Sequence, residues 1–253
     1  MQFKVLIPAR MASQRLPGKP LMDLLGKPLI LYVCEKARDS GAEQVLVATD
    51  DPRIHAVCKS AGFQAELTSS RHASGTDRIA EVVTRLDWDE GDIVVNLQCD
   101  EPMMPAADIQ QVAQLLEARE DAQMATLCTP IHELEDYLNP NVVKLASDQA
   151  GNALYFSRAP IPWNRAGARA GLASQQHWQG SLRHIGIYAY RVGALRQLAA
   201  APACETEQLE RLEQLRALWL GMKIAVDVAR EAPGPGVDTP EDLKRVACLL
   251  ETS

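Results

Sequence analysis

Three cations, Arg10, Arg15 and Lys19, fall within the short stretch from Pro8 to Pro20. Between them stand the small residues Ala9, Ala12, Ser13 and Gly18, which let a ligand approach the backbone. Cations around exposed backbone N–H groups suit a polyphosphate. Pro17 and Pro20 stiffen the far end, and Pro20 disfavours helical geometry at Lys19. Two familiar phosphate loops are excluded by spelling. A Walker loop needs Gly where Ser13 stands, and Ser or Thr where Pro20 follows Gly18-Lys19. The dinucleotide fingerprint G-x-G-x-x-G is also absent from this turn.

Acids that could complement this loop lie far away in the chain. Asp100 follows the apolar run from Asp92 to Leu97, and Asp238 follows the Gly/Pro-rich turn Pro233–Val237. A hard divalent cation takes oxygen ligands and bridges carboxylates to substrate phosphates, which makes Asp100 a metal candidate. The alternative is that Asp100 caps a helix beginning near Pro105. Asp238 is a second acid able to return to the same rim. Ser74 or Thr76 in His72–Arg78 can cap a helix, or its hydroxyl and amides can meet a base or ribose, with Arg78 one turn in. Arg158, Arg165, His184 and Tyr188 form an unusual exposed polar set. Glu213 and Gln214 lie between Leu209, Leu212, Leu215 and Trp219, read as the inward positions of one helix over 205–219.

The elements that must position these residues follow from hydrophobic pattern and breakers. An apolar run at 3–7 reads as a first strand and places the basic loop at a strand's carboxyl end, where open α/β sheets bind ligands. A helix follows from Pro28 to near Gly41, a strand at 44–48, a helix from Asp51-Pro52 to near Gly62 and a strand at 63–67. This alternation means right-handed βαβ units and a mostly parallel sheet. Further strands are expected at 92–97, 124–128, 142–146, 153–157, 183–190 and 222–229, with helices over 106–118 and 241–250. The block from about 130 to 190 reads as an antiparallel insert laid over the rim of a single domain spanning 1–253.

Composition bounds the function. The chain has 253 residues, 47 % hydrophobic and 23 % charged, with a net charge of −7. An acidic protein with a local basic loop fits a small anionic ligand and argues against a nucleic-acid partner. The six cysteines form no C-x-x-C pair, so a zinc site or disulfide framework is not expected. With no leader-like apolar stretch and no run of the roughly 20 apolar residues a span needs, the reading is a soluble, cytoplasmic protein without membrane insertion.

The sequence resembles the 3-deoxy-manno-octulosonate cytidylyltransferases, also called CMP-Kdo synthetases, over nearly its whole length. The resemblance is carried by Ile7-Pro8-Ala9-Arg10, Arg15-Leu16-Pro17-Gly18-Lys19-Pro20-Leu21, Val47-Ala48-Thr49-Asp50 and Ser74-Gly75-Thr76-Asp77-Arg78. It continues through Asp100-Glu101-Pro102, Tyr155-Phe156-Ser157-Arg158, Arg183–Tyr188, Leu212–Arg216 and Gly236–Leu243. It implies a Rossmann-like, three-layer α/β nucleotidyltransferase fold. It also implies a reaction: CTP and Kdo give CMP-Kdo and pyrophosphate, with Mg²⁺, for lipopolysaccharide synthesis. Matched residue by residue, Arg10, Arg15 and Lys19 would be catalytic and, with Ala9, Ser74 and Gly75, would bind CTP. Asp100 and Asp238 would bind metal. Arg78, Gln98, Arg158, Arg165, His184, Tyr188, Glu213 and Gln214 would bind the sugar. A homodimer is also implied. A related acid, such as an 8-amino Kdo analogue or a sialic acid, stays open as the acceptor. The family commonly has Gly where this chain has Cys99, so the backbone there must tolerate a side chain.

Overall fold

The computed structural model describes residues 1–12, 16–166 and 171–252. Arg15 lies outside the described residues. In chain order the strands are β1 (Lys4–Ala9), β2 (Asp23–Leu24), β3 (Lys27–Pro28), β4 (Gln44–Thr49), β5 (Gln64–Leu67), β6 (Ile93–Asn96), β7 (Met124–Pro130), β8 (Lys144–Ser147), β9 (Ala153–Ser157), β10 (Leu182–Arg191) and β11 (Ile224–Val228). The α-helices are α1 (Leu29–Asp39), α2 (Pro52–Ser60), α3 (Gly75–Arg85), α4 (Ala106–Ala118), α5 (Leu134–Leu138), α6 (Val192–Ala200), α7 (Glu205–Glu210), α8 (Gln214–Trp219) and α9 (Pro240–Glu251).

The main sheet runs β11-β7-β10-β6-β1-β4-β5, and β8 and β9 branch from β10. β1 pairs in parallel with β4 and β6, β4 with β5, and β7 with β11. β10 alone among these runs against its neighbours β6 and β7. The mostly parallel α/β sheet expected from the sequence is thus present. β10 does not lie over the rim, however. It passes through the middle of the sheet, with Tyr188 opposite both Asn96 and Thr126. The apolar residues Ile185, Ile187 and Ala189 explain this, because they are buried with the side chains of α1 and α4.

Both sheet faces are covered. Val5, Ile7, Val47 and Val95 pack with Ile30, Val33, Ile54, Ile109 and Val112 on one side. Leu6, Leu46 and Val94 pack with Ile79, Val82, Val83, Leu195 and Leu215 on the other. A third cluster joins Leu16, Leu24 and Leu29 to Val237 and Val246, so the last helix is seated on the far end of the basic loop. Among the described residues no helix is long and apolar enough to cross a membrane.

Several local expectations change. Pro28 precedes α1 rather than occupying its first turn, because β3 ends there. Lys19 opens a single 3₁₀ turn, Lys19–Leu21, with Pro20 just inside it. The helix expected over 205–219 breaks at Arg211, which takes a left-handed conformation at φ 53°. The break resets the helical phase. Leu212 and Leu215 stay buried, while Leu209 (76 % exposed) and Trp219 (64 %) turn outward. The sequence pattern also passed over α5, α6 and the small β2–β3 hairpin.

Candidate active site

The carboxyl ends of β1, β4 and β6 lie side by side because these strands are adjacent and parallel. The chain leaving β1 begins the basic loop, the chain leaving β4 carries Asp50, and the chain leaving β6 carries Gln98, Cys99 and Asp100. The chains leaving β1 and β6, the start of α3 and Asp238 enclose a cleft of about 750 Å³. Ala9, Arg10 and Lys19 line one side of it, Ser74, Gly75 and Arg78 another, and Gln98, Asp100 and Asp238 a third.

Lys19 is the centre of this arrangement. Its Nζ donates to Asp100 Oδ2 at 2.7 Å and to Asp238 Oδ1 at 3.0 Å. The residue is only 7 % exposed. Burial works against its charge, but the two carboxylates outweigh burial and hold its pKa above the ordinary lysine value. The helix-cap alternative for Asp100 fails: α4 starts after Pro105 with no side-chain cap, and Asp100 points to Lys19 instead. Two acids far apart in sequence are therefore held on one cation at one rim. The neighbouring Glu101 registers this concentration of negative charge. Burial, then Asp100 and Asp238, push its pKa up to about 8, with Arg183 and Lys19 pulling the other way.

The α3 terminus satisfies its own backbone. Ser74 Oγ accepts from Asp77 N at 3.1 Å, and the Asp77 carboxylate accepts from Ser74 N at 3.3 Å, a reciprocal cap. Gly75 sits against Pro8, where a methyl group would come within 3.0 Å of the proline Cγ. Arg78 borders the cleft but its guanidinium is engaged, with Asp50 at 3.0 Å and Thr68 at 2.5 Å. Asp50 appeared in the sequence only as part of a motif; here it is the partner that orients Arg78. Cys99 requires no left-handed backbone, because among the described residues the positive-φ non-glycines are Leu25, Asp87 and Arg211. Burial, then the nearby Asp100, push its thiol up to about 12, so it stays protonated at neutral pH.

A second group gathers beyond Thr76. Thr76 Oγ1 donates to Glu213 Oε2 at 2.6 Å, tying the first turn of α3 to the start of α8. Burial raises the Glu213 pKa against the counter-effect of that hydrogen bond. His184 packs between Phe156, which it meets edge to face, and the tilted ring of Tyr188, at centroid distances of 5.1 and 5.2 Å, and its Nε2 meets Thr126 Oγ1 at 3.0 Å. Burial pushes the His184 pKa down to about 3 and the Tyr188 pKa well above its usual value, so both are neutral at pH 7. Among the described residues the buried Tyr188 hydroxyl has no hydrogen-bond partner. Buried hydroxyls are normally satisfied, so an orphan of this kind points to a ligand atom.

Other residues expected at the sugar stand differently. Arg158 is used structurally: its Nε donates to Glu210 O at 2.6 Å and its Nη1 to Pro140 O at 2.9 Å, while its N–H donates to the Glu210 carboxylate. Glu210 and the fully buried Lys144, whose Nζ donates to the carbonyls of Asn139, Val142 and Arg158, pin this corner. Arg165 is exposed, and like Arg158, His184, Tyr188, Glu213 and Gln214 it is not among the residues that line the cleft. Gln214 is buried in the first turn of α8. Gln98 lines the cleft and donates to Asn96 Oδ1 at 3.4 Å. Sequence reasoning missed Thr76 as a bridge and Glu210 as an anchor. The Thr76 link joins residues 137 positions apart, for which no local pattern exists.

The cytidylyltransferase family matches residues 4–224. A 3-deoxy-manno-octulosonate cytidylyltransferase of Thioalkalivibrio sulfidiphilus is 55 % identical over 250 residues, 99 % of each chain. The chain belongs to the 3-deoxy-manno-octulosonate cytidylyltransferase family. Another member, from Alkalilimnicola ehrlichii, is 53 % identical over 98 % of this chain and 96 % of its own. A solved structure of CMP:2-keto-3-deoxy-manno-octonic acid synthetase complexed with CTP superposes with a TM-score of 0.89 at 40 % identity, covering 100 % of this chain and 99 % of that one. The Rossmann-like α/β nucleotidyltransferase architecture expected from the resemblance is therefore the fold of this cytidylyltransferase.

Proposed function

We propose that this protein transfers CMP from CTP to the anomeric hydroxyl of Kdo, releasing pyrophosphate, and that the product serves lipopolysaccharide synthesis. The observation that carries the reading is Lys19 held between Asp100 and Asp238 at the cleft of a chain of this family. In the reaction a new bond forms between the sugar oxygen and the α-phosphorus, and the bond to pyrophosphate breaks. Charge grows on the phosphate oxygens and the leaving group, and stabilising it is the main catalytic task. Lys19 and Arg10 line the cleft where that charge would develop, and Arg15 stands between them in the sequence. Ala9, Ser74 and Gly75 present backbone and a capped helix start for the nucleoside. Tyr188 and His184 supply neutral groups and Glu213 a carboxyl for sugar hydroxyls, with Gln98 contributing from the cleft lining.

Mg²⁺ belongs to the proposal. Among the described residues no cluster of three or more His, Cys, Asp or Glu could hold a metal. A pair of carboxylates does fit Mg²⁺, which is commonly bound by one or two carboxylates plus substrate phosphates and water. Asp100 and Asp238 already converge on one cation, the Lys19 ammonium, so their spacing suits a shared positive partner. When bound there, Mg²⁺ would supply Lewis-acid stabilisation of phosphate charge.

We also propose a cytoplasmic homodimer. Its support is the β9 edge, which leaves Leu154 and Tyr155 exposed. Light scattering at micromolar concentration should read twice the chain mass, and a monomer mass ends that part of the reading. The catalytic reading is tested by pyrophosphate release with Mg²⁺ across CTP, UTP and ATP, each with Kdo, its 8-amino analogue and sialic acid. The expected result is turnover dominated by CTP with Kdo. Faster turnover with another nucleotide or sugar overturns it.

A further inference from the structure

Asp238 reaches Lys19 at the end of a strap that leaves β11 and crosses the rim. The strap is fixed upstream by α4: Gln111 Oε1 accepts from Arg230 N at 2.9 Å and Asp108 Oδ1 from Glu231 N at 3.3 Å. It then runs against the segment that carries Asp100, in the opposite direction. Val237 N donates to Asp100 O at 2.8 Å, and Gly234 N to Met103 O at 3.4 Å. The buried Val237 side chain is seated with Leu16 and Leu24. Thr239, one residue beyond Asp238, caps α9 by accepting from Asp242 N at 3.2 Å.

Within this strap the two glycines stand where a side chain would crowd the opposite segment. A methyl group at Gly234 would stand 2.6 Å from Met103 Cβ, and one at Gly236 would stand 3.0 Å from Glu101 Oε1 and 3.3 Å from the Asp100 carbonyl oxygen. Neither glycine belongs to the positive-φ set of this chain. Their requirement is therefore room, not backbone freedom, and an alanine at either place is opposed only by the segment it touches. The Gly234 contact is with a Cβ, which cannot swing aside, so the main chain must separate. The Gly236 contact is partly with the end of the Glu101 side chain, which can yield.

We propose that Gly234 and Gly236 are positioning residues: they let the strap lie against residues 100–103 and so set the gap across which Asp100 and Asp238 face a common cation. The inference rests on the proposed cytidylyl transfer for its catalytic consequence, but not for the geometry itself. Neither residue touches the reacting atoms. They act through the placement of Asp238.

The test compares the full-length protein with Gly234→Ala and Gly236→Ala, using Gly91→Ala as control, since a methyl at Gly91 meets nothing within 4 Å. Displacing a reacting group by about 1 Å costs up to ~100-fold in rate, so Gly234→Ala should lower kcat about 30-fold and Gly236→Ala about 5-fold. The KM for CTP should move little. Half-saturating Mg²⁺ should rise in the same order, and Mn²⁺ binding to the CTP-loaded protein, read by electron paramagnetic resonance, should weaken in parallel. Adding Met103→Gly to Gly234→Ala removes the opposing Cβ and should restore both. Wild-type kcat and Mn²⁺ affinity in Gly234→Ala overturn the proposal. So does lost activity with unchanged Mn²⁺ affinity and a lowered melting temperature, which is simple destabilisation. Should Gly234→Ala fail to fold, the milder Gly236→Ala takes its place: weakened Mn²⁺ binding with lowered kcat supports the proposal, and unchanged Mn²⁺ binding overturns it. If the wild type made no CMP-Kdo while the variants still lost Mn²⁺, the functional reading would fall and the positioning role would stand.

Discussion

The charged cleft and the buried group beyond Thr76 are built from opposite electrostatic materials. On the β1 and β6 rim, Lys19, Arg10, Asp100 and Asp238 are full charges around an open cleft. Beyond Thr76, burial holds His184 and Tyr188 in their neutral forms, and Glu213 is shifted toward its neutral form. The first side can neutralise a triphosphate but discriminates poorly between anions, because charge acts at a distance. The second can discriminate hydroxyl patterns, because an unpaired buried polar group is costly and must be matched by the ligand. If the proposed roles hold, rate and sugar choice are separable here.

The sharpest way to break that comparison is Lys19→Met. Removing a preorganised charge from a site of this kind costs about 100- to 1,000-fold in kcat, with folding retained, as checked by pyrophosphate release and circular dichroism. If the loss is under tenfold, the charged side does not drive the chemistry. Next comes Tyr188→Phe. Its hydroxyl makes no bond within the described residues, so the protein's melting temperature should hold or rise slightly. The KM for Kdo should increase about tenfold, the order expected for one lost hydrogen bond, while the KM for CTP stays put. Equal rises in both constants would erase the distinction between the sides.

The third test is acid stability. The folded-state pKa of His184 lies at about 3, below the unfolded value, so the unfolded chain binds the extra proton first. The contribution of neutral His184 is fully present above about pH 6.5 and is lost as pH falls toward 3. His184→Gln should therefore flatten the fall of melting temperature over that range relative to wild type; parallel curves would show that the imidazole takes up its proton in the fold at the same pH as in the unfolded chain. The smallest effect belongs to Cys99→Gly. The native backbone there is not left-handed, so turnover should change less than about threefold, and Cys99 should resist alkylation at pH 8 because its thiol stays protonated. Rapid, inactivating alkylation confined to Cys99 would refute this.

Much of the fold was legible because parallel strands buried on both faces write continuous apolar runs such as 44–48 and 92–97, and breakers mark their ends. The elements misread are those set by tertiary contacts. Glu205 to Trp219 carries helical spacing throughout, yet the chain breaks at Arg211 so that α8 can present Glu213 to Thr76. The roles of Arg78 and Arg158 were equally hidden. An arginine in a motif looks the same whether it faces a ligand or, as here, is engaged by Asp50 or by the Glu210 carbonyl.

The amino-acid sequence determined the parts: the cation-rich loop after the first strand, the capped start of α3, the acids at 100 and 238, and the alternation that lays strands in parallel. These depend on neighbours a few residues apart, which a linear pattern records. Only the tertiary structure decided that Asp238 meets Asp100 on Lys19, that β10 enters the sheet between β6 and β7, and that the Tyr188 hydroxyl finds no partner among the described residues. Those outcomes depend on how distant surfaces exclude water together, and on two glycines thin enough to let one segment lie against another.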